Sequence, residues 1–231
     1  MSERNNDQPT RAERIGALLM RYRTVLISVS VVLVVGIIGA VAAAQILDAR
    51  AERAAEASEA VQRTYQEWTN AGETERDELE VQLREQIETT LEEHTGSYGA
   101  LRSQFILAEL EWELENWPAA RDEYLAVAER FDHNHLTAPA LFSAAAASEN
   151  LGEPDRAVEL YQRIADGEGA PSVEEAHALF NLGRLAEARN DVDAALDFYN
   201  QLLDEHGDSN WTNLGRNRII WLQSHGAGAE S

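Results

Sequence analysis

The hydrophobic and polar positions divide the chain into one long apolar run near the N-terminus and several shorter stretches with helical periodicity. The run covers 23 residues, 25–47, with no charged side chain and only three polar ones. Because a helix rises about 1.5 Å per residue, this run can span a hydrocarbon core of about 30 Å. We therefore predict a transmembrane helix at 25–47.

The region after the apolar run, residues 48–96, has the spacing of two amphipathic helices. In the first, at 48–70, small and apolar side chains recur at steps of four and three and share one face. These side chains are Ala54, Ser58, Val61, Tyr65 and Trp68. In the second, at about 74–93, the apolar positions are Leu79, Leu83, Ile87 and Leu91. We expect a helical spacer whose aromatic end docks on the domain that follows.

After residue 97 the sequence repeats itself, and the repeat predicts the fold. Three stretches that start at Gln104, Leu141 and Leu179 match position by position. The shared positions are a phenylalanine (Phe105, Phe142, Phe180), a small residue (Ala108, Ala145, Gly183), an alanine (Ala120, Ala157, Ala195) and a tyrosine (Tyr124, Tyr161, Tyr199). The alanines lie 37 and then 38 residues apart, a spacing that indicates helical hairpins. The predicted turns are Asn116-Trp117, Gly152-Glu153 and Asn190-Asp191.

The small residues indicate how the hairpins pack. Two helices reach the short end of the usual 8–10 Å separation only where neither carries a bulky side chain. Each hairpin then buries its face against a neighbour, so the fold class is all-α, one transmembrane helix followed by an α-solenoid. The repeat domain is predicted at 97–224, with a C-terminal capping helix near 211–222. Residues 225–231 are predicted to be a disordered tail.

The repeated residues resemble the tetratricopeptide repeat (TPR). That pattern has Leu then Gly or Ala in the first helix, Ala in the second and an aromatic residue four positions later, and Leu182-Gly183, Ala195 and Tyr199 match it best. All three units lack the closing proline and depart from the pattern where a first-helix aromatic residue is usual. The residues at that position are Glu111, Ser148 and Ala186. The resemblance implies a domain that binds proteins or peptides.

The whole layout is similar to the YfgM-like membrane-anchored periplasmic TPR proteins. It has a short arginine-bearing start, one anchor, a helical spacer and the segment SYGA at 97–100 before the first repeat. This resemblance implies an ancillary role at the Sec translocon, with exported or membrane proteins, translocon subunits or periplasmic chaperones as partners. The alternative is a scaffold for an envelope-assembly or cell-division complex, in which self-association is possible.

Charges around the apolar run predict its orientation. Five arginines precede it, namely Arg4, Arg11, Arg14, Arg21 and Arg23. Positive residues stay on the cytoplasmic side, so residues 1–24 are predicted to be cytoplasmic and the rest periplasmic, at a bacterial inner membrane. A cleaved signal peptide is the competing interpretation, because Ala42-Ala43-Ala44 offers a small-x-small site. The apolar run is longer than a signal h-region of 7–15 residues, which favours an anchor.

Composition excludes several function classes. The chain has 19 basic residues, all arginine, against 41 acidic residues, and a net charge of −22. A surface that tracks nucleic-acid phosphates is therefore not expected. Acidic excess without lysine is also typical of adaptation to a salt-rich or alkaline habitat. The absence of cysteine excludes disulfides, thiolate catalysis and Cys-based zinc sites.

The predicted partner-binding groove lies along the first helices of the hairpins. The candidate residues are Arg102, Phe105, Glu109, Trp112, Phe142, Glu149, His177, Phe180, Arg184 and Glu187. A ladder of aromatic rings flanked by charges could hold an extended or helical apolar peptide. The alternative is that these rings belong to the core between repeats, or that the spacer helices at 48–93 cover them.

Signals for an enzyme are weak. The sequence contains no Gly-rich phosphate loop, no nucleophile elbow and no Ser/His/Asp order. The one cluster with some similarity to a metal site is His133-Asn134-His135 beside Asp132, and it has no further ligand pair at helical spacing. We therefore expect a binding protein without catalytic residues, cofactor or metal.

Overall fold

The computed structural model describes residues 20–130, 134–169 and 173–226, and this part of the chain contains helices and short turns. It divides into two compact units, residues 1–50 and 51–231. The helices are α1 Arg23–Asn70, α2 Glu73–Glu93, α3 Tyr98–Glu113, α4 Trp117–Arg130, α5 Thr137–Asn150, α6 Pro154–Ala165, α7 Val173–Ala188, α8 Val192–Glu205 and α9 Asn210–Gly226. The all-α prediction is confirmed.

The first unit consists, in its described part, mainly of the N-terminal portion of α1. Its most apolar stretch has a mean hydropathy of 2.3, and none of that stretch is buried against protein. Side chains from 31 to 47 are all exposed. By length and composition α1 can cross a membrane, and it contains the whole predicted span 25–47.

The second unit begins with the spacer, formed by residues 51–70 of α1 and by α2. The predicted face of α1 is buried, with Ala54 and Ser58 at 1% and Val61 at 0% exposure. Val61 and Trp68 pack with Leu83 and Ile87 of α2 and with two residues of α3, Ile106 and Leu110. The prediction that the aromatic end of the spacer docks on the repeat domain is confirmed.

The start of α3 shows why a glycine stands there. Ser97 caps this helix, because its Oγ accepts a hydrogen bond from the Ala100 amide at 3.0 Å. Gly99 lies against the backbone of α1. A Cβ atom on Gly99 would lie 2.6 Å from the carbonyl carbon of Ala54. In the SYGA segment, Ser97 therefore caps α3, and Gly99 allows α3 to lie close to α1.

Three hairpins follow, α3–α4, α5–α6 and α7–α8, and their turns share one geometry. Each turn has a residue with positive φ at the same position: Glu115 (56°), Gly152 (73°) and Asn190 (59°). The next amide donates back to a carbonyl of the first helix at 2.9–3.0 Å, which closes the helix end. The predicted turn Asn116-Trp117 is wrong by one residue, because Trp117 already belongs to α4.

The small and alanine positions lie where the helices of each hairpin meet. Ala108, Ala145, Ala120, Ala157 and Ala195 are all fully buried. Gly183 faces the ring of Tyr199, and a Cβ atom on it would lie 2.7 Å from Tyr199 Cζ. In the third hairpin, the tyrosine therefore fills the space that a methyl group occupies in the other two.

We expect Gly183→Ala to lower the free energy of unfolding by up to about 2 kcal/mol. Overpacking against the buried Tyr199 ring costs about 1–3 kcal/mol, and the better helix propensity of alanine returns about 1 kcal/mol. Urea unfolding of the full-length protein in detergent micelles measures the change. An increase in stability would show that Tyr199 can shift to accept a methyl group.

The departure from the repeat pattern at Glu111 has a local explanation. Its side chain is 6% exposed and accepts hydrogen bonds from Arg84 of α2 at 2.6 Å and from Asn116 at 2.7 Å. Where the TPR pattern has an aromatic ring, this chain has an ion pair between Glu111 and Arg84 of the spacer. The pair satisfies a carboxylate that would be costly to bury alone.

The last helix, α9, packs on α8 as the predicted cap. Ile219 and Leu222 contact Ala195 and Tyr199. The helix extends to Gly226, so the predicted start of the tail at 225 is wrong, and residues 227–231 lie outside the described residues. On its outer face α9 leaves apolar side chains exposed. These are Leu214, Ile220 and Trp221.

Candidate protein-binding surface

Three phenylalanines occupy equivalent positions on the first helices of the hairpins. Phe105, Phe142 and Phe180 are half-buried, and each packs on the tyrosine of its own hairpin. The ring centroids are 5.4 Å apart for Phe105 and Tyr124, 5.2 Å for Phe142 and Tyr161, and 5.7 Å for Phe180 and Tyr199. One part of each ring supports the core, and the other part faces solvent.

A row of rings joins the second and third hairpins to the cap. His177 lies between Phe142, at a centroid distance of 4.2 Å, and Trp211, on which it stacks at 3.6 Å. Trp211 also lies 5.2 Å from Phe180. The sequence predicts Trp211 only as part of a capping helix. The position of Trp211 at the start of that helix is the signal that could add it to the surface.

Two of the predicted groove carboxylates each form an ion pair with the next unit of the solenoid. Glu149 accepts hydrogen bonds from Tyr161 at 3.1 Å and from Arg184 of the next hairpin at 2.6–2.7 Å. Glu187 repeats the arrangement with Tyr199 at 2.6 Å and Arg218 of α9 at 2.9 Å. These bonds link consecutive units of the solenoid. Arg184 therefore forms an internal ion pair with Glu149. The sequence did not indicate that Arg218 pairs with Glu187.

The same hydrogen bonds shift the pKa of these groups. Burial alone would raise the pKa of Glu187, but hydrogen bonds from Arg218 and Tyr199 lower it. Burial raises the pKa of Tyr161 and Tyr199, and the nearby carboxylates raise it further. Glu187 is therefore ionised, and the tyrosines are neutral donors, at any physiological pH.

The first hairpin differs from the other two. Trp112 stands where they have Glu149 and Glu187, and its ring packs edge-on against Trp117 at 4.9 Å. Arg102 donates to Gln62 Oε1 of the spacer at 3.2 Å. The spacer thus lies beside the predicted groove at its first hairpin.

A pocket of about 280 Å³ lies between the spacer and the first hairpin. Its lining includes three of the predicted site residues, Arg102, Phe105 and Glu109, which share one face of α3. The other lining residues are Gln62, Tyr65, Tyr98, Ile106 and Leu136. The structure therefore brings Arg102, Phe105 and Glu109 together at a concave site. Trp112 lies at the end of α3, where its ring contacts Tyr124. The other six candidates lie on α5 and α7.

Comparison with known proteins agrees with this repeated geometry. A tetratricopeptide repeat family model matches residues 107–173 and again residues 142–210. Residues 107–210 carry tetratricopeptide repeats. A TPR repeat-containing protein of Treponema pallidum (strain Nichols) is 30% identical over 128 residues, which is 55% of this chain and 53% of that protein. The chain thus spans about half of the length of this relative. No solved structure matches the chain.

The TPR units define the general role of the domain. This repeat is a protein-interaction fold that is typically non-enzymatic, and TPR domains bind proteins or peptides. The domain is a protein-interaction scaffold.

The structure describes only part of the histidine cluster that the sequence offered as a weak metal site. Asp132 and His133 lie outside the described residues. His135 Nε2 lies 3.0 Å from the hydroxyl of Tyr98.

His177 should make the stability of the TPR domain depend on pH. Burial, together with the positive charge of Arg184, lowers the pKa of His177 from 6.5 to about 4. The unfolded chain therefore binds the proton more readily between these values, and stability falls as the pH falls from 6.5 to 4. Because the ring is half-exposed, we expect this loss to be about 1–2 kcal/mol.

His177→Phe tests this pH dependence, because it keeps a ring between Phe142 and Trp211 but removes the titrating group. Unfolding in urea at pH 7 and pH 4.5 gives the loss for each protein. The variant should lose less stability than the wild type between the two pH values. Equal losses would assign the pH dependence to other groups.

Proposed function

We propose that this protein is a membrane-anchored adaptor whose TPR domain holds other proteins on the periplasmic side of a bacterial inner membrane. One observation carries the proposal. A helix long and apolar enough to span a bilayer belongs to the same chain as TPR units whose phenylalanine rings stay partly open to solvent. Such rings are suitable anchors for a bound peptide, because they bury apolar surface at low conformational cost.

The proposed side of the membrane follows from the arginine bias before the anchor, which keeps residues 1–24 in the cytoplasm. On the other side, the proteins nearest to the anchor are exported and membrane proteins, together with the translocon and periplasmic chaperones. The resemblance in layout to YfgM-like proteins supports these partners. In this proposal the adaptor keeps newly exported segments close to the membrane while they fold.

Orientation can be measured directly because the chain contains no cysteine. A single cysteine at Asp197, an exposed residue of α8, should react with a membrane-impermeant maleimide in cells whose outer membrane has been permeabilised. A cysteine at Ser2 should react only after the inner membrane is opened. The reverse pattern would overturn the proposed orientation.

Photo-crosslinking in cells tests the adaptor role. Ala146 of α5 occupies the position equivalent to Glu109 and Arg184 and is half-exposed, so a probe there faces the proposed surface. A probe at Asp197 is the matched control. Capture of several exported proteins, chaperones or translocon subunits at Ala146, and not at Asp197, is expected. Capture of only this chain's own spacer would show that the surface is closed.

The outer face of α9 favours a second candidate, a scaffold with one fixed partner. Three large apolar side chains there, Leu214, Ile220 and Trp221, are 46%, 59% and 46% exposed. A folded envelope protein that docks on this end of the solenoid would cover them. Ile220→Glu with Trp221→Glu should then release a single partner that otherwise stays bound in high salt. Unchanged partner recovery would exclude this scaffold.

A further inference from the structure

Glu109 differs from the charged residues on the same face of the other first helices. Arg184 occupies the same position in the third hairpin and is bound to Glu149. Glu149 and Glu187, one turn further along, each accept hydrogen bonds from a tyrosine and an arginine. Glu109 has no hydrogen bond or ion pair to any residue in the described part of the chain. Its carboxylate is left available.

The surroundings of Glu109 make an unpaired carboxylate unfavourable. The side chain is half-buried, and burial, together with the neighbouring charge of Glu113, raises its pKa. The same carboxylate contributes to the raised pKa of Tyr65, which burial and Glu109 bring to about 12. A positive charge beside Glu109 would relieve this repulsion.

The pocket that Glu109 borders has the walls that a long cationic side chain requires. Phe105 and Tyr65 supply aromatic rings, and Ile106 and Leu136 supply aliphatic contacts. Aromatic faces attract cations, and aliphatic walls suit the methylene stems of lysine and arginine. At about 280 Å³ the pocket is smaller than typical small-molecule sites of roughly 300–1,000 Å³, so it suits one side chain.

The polarity of the pocket also sets a direction for the occupant. Arg102 lies seven residues before Glu109 on the same helix face, a rise of about 10 Å. Its guanidinium is held by Gln62 at 3.2 Å. A bound segment would place its cation at the Glu109 end and a carbonyl or carboxylate oxygen at the Arg102 end.

We propose that the pocket between the spacer and the first hairpin binds one lysine or arginine side chain of a partner polypeptide. Its stem lies against Phe105 and Tyr65, and its charged end pairs with Glu109. The contact is a charge-assisted hydrogen bond at a partly dry site, where such bonds are strongest. This inference rests on the proposed function, because it names the kind of segment that the adaptor holds.

Fluorescence anisotropy of short labelled peptides against the full-length protein in detergent micelles tests the inference. The peptides are uncharged at both ends and identical except for one central residue, which is lysine, arginine, norleucine or glutamate. Lysine and arginine peptides should bind at least about tenfold more tightly than the norleucine peptide. Equal affinities would overturn the inference.

Two variants of Glu109 assign the preference to this site. Glu109→Gln should remove the preference for a basic residue and leave binding of the norleucine peptide unchanged. Glu109→Lys should reverse it in favour of the glutamate peptide. Glu88→Gln, at an exposed residue of α2, is the matched control and should behave as the wild type. A Glu109→Gln protein that keeps the preference would contradict the assignment.

Stability separates a binding role from a structural one. A carboxylate that only supports the fold would cost stability when it is neutralised. Because Glu109 is unpaired, Glu109→Gln should unfold at the same or a higher temperature than the wild type. A lowered midpoint, measured by circular dichroism, would contradict the proposal.

The crosslinking experiment at Ala146 distinguishes failure of this inference from failure of the adaptor role. Capture of exported proteins at Ala146, without a basic preference in the peptide assay, would remove only the pocket assignment. A basic preference that depends on Glu109, without any capture in cells, would instead remove the adaptor role and leave the pocket.

Discussion

Replacing Trp68 by alanine should lower the free energy of unfolding by about 3–5 kcal/mol, because a large buried ring is lost and a cavity is left. Trp68 is 2% exposed and packs with Val61, Leu83, Ile87 and the α3 residues of the same cluster. Arg76 covers the ring at 4.4 Å and donates to the Trp68 carbonyl at 3.3 Å. The buried residues of this cluster come from α1, α2 and α3, so the loss should be confined to this end of the domain.

Hydrogen exchange measures where the Trp68→Ala protein opens. Because each unit of a solenoid contacts mainly its neighbours, amides of residues 51–93 should exchange faster, while those of α5–α8 keep their protection. Trp68→Phe retains an aromatic ring and should lose clearly less stability. Uniform loss of protection along the whole domain would show that the spacer and the repeats unfold as one unit.

Gly99→Ala should lower the free energy of unfolding by about 3 kcal/mol, at the upper end of the usual 1–3 kcal/mol for overpacking. The atoms in the way are backbone atoms of Ala54, which cannot rotate aside as a side chain can. The new methyl group must therefore push α1 away from α3. Separation of these helices also weakens the contacts of Ser58 and Val61, which are buried further along the same face.

Gly207→Ala is the matched control for Gly99. A Cβ atom there would meet only the Leu203 carbonyl oxygen, at the ordinary distance of 3.7 Å. Its effect should be small, and alanine can stabilise slightly by limiting the unfolded chain. Urea unfolding of both variants checks the comparison. Equal stabilities of the two variants would mean that α1 can shift without loss of packing.

The candidate site was predicted from the sequence only in part. The period of about 37 residues predicted that Phe105, Phe142 and Phe180 hold equivalent positions, and in the structure each of the three is half-buried. It could not show that Glu149 and Glu187 are bound to Arg184 and Arg218, because a period gives the face of a helix and not the partner across it. Trp211 and the pocket beside Tyr65 were missed for the same reason.

The spacer shows which structural features a local sequence pattern can predict and which depend on tertiary contacts. Steps of four and three predicted the buried face of α1, since a helical period determines which side chains share a side. The identity of the surface that covers this face required the fold. The ion pair between Arg84 and Glu111 joins residues 27 positions apart, and no local pattern indicates it.

By itself, the sequence determined the all-α class, the apolar helix, the three hairpins and the equivalent positions within them, because helical period and repeat length are local properties of the chain. The tertiary structure decided which of the groove charges are paired and which one is left open. Pairing depends on distances between hairpins, which arise only when the helices pack. Glu109, Glu149 and Glu187 are all predicted groove carboxylates in the sequence, and only the fold shows that Glu109 lacks a hydrogen-bond or ion-pair partner among the described residues.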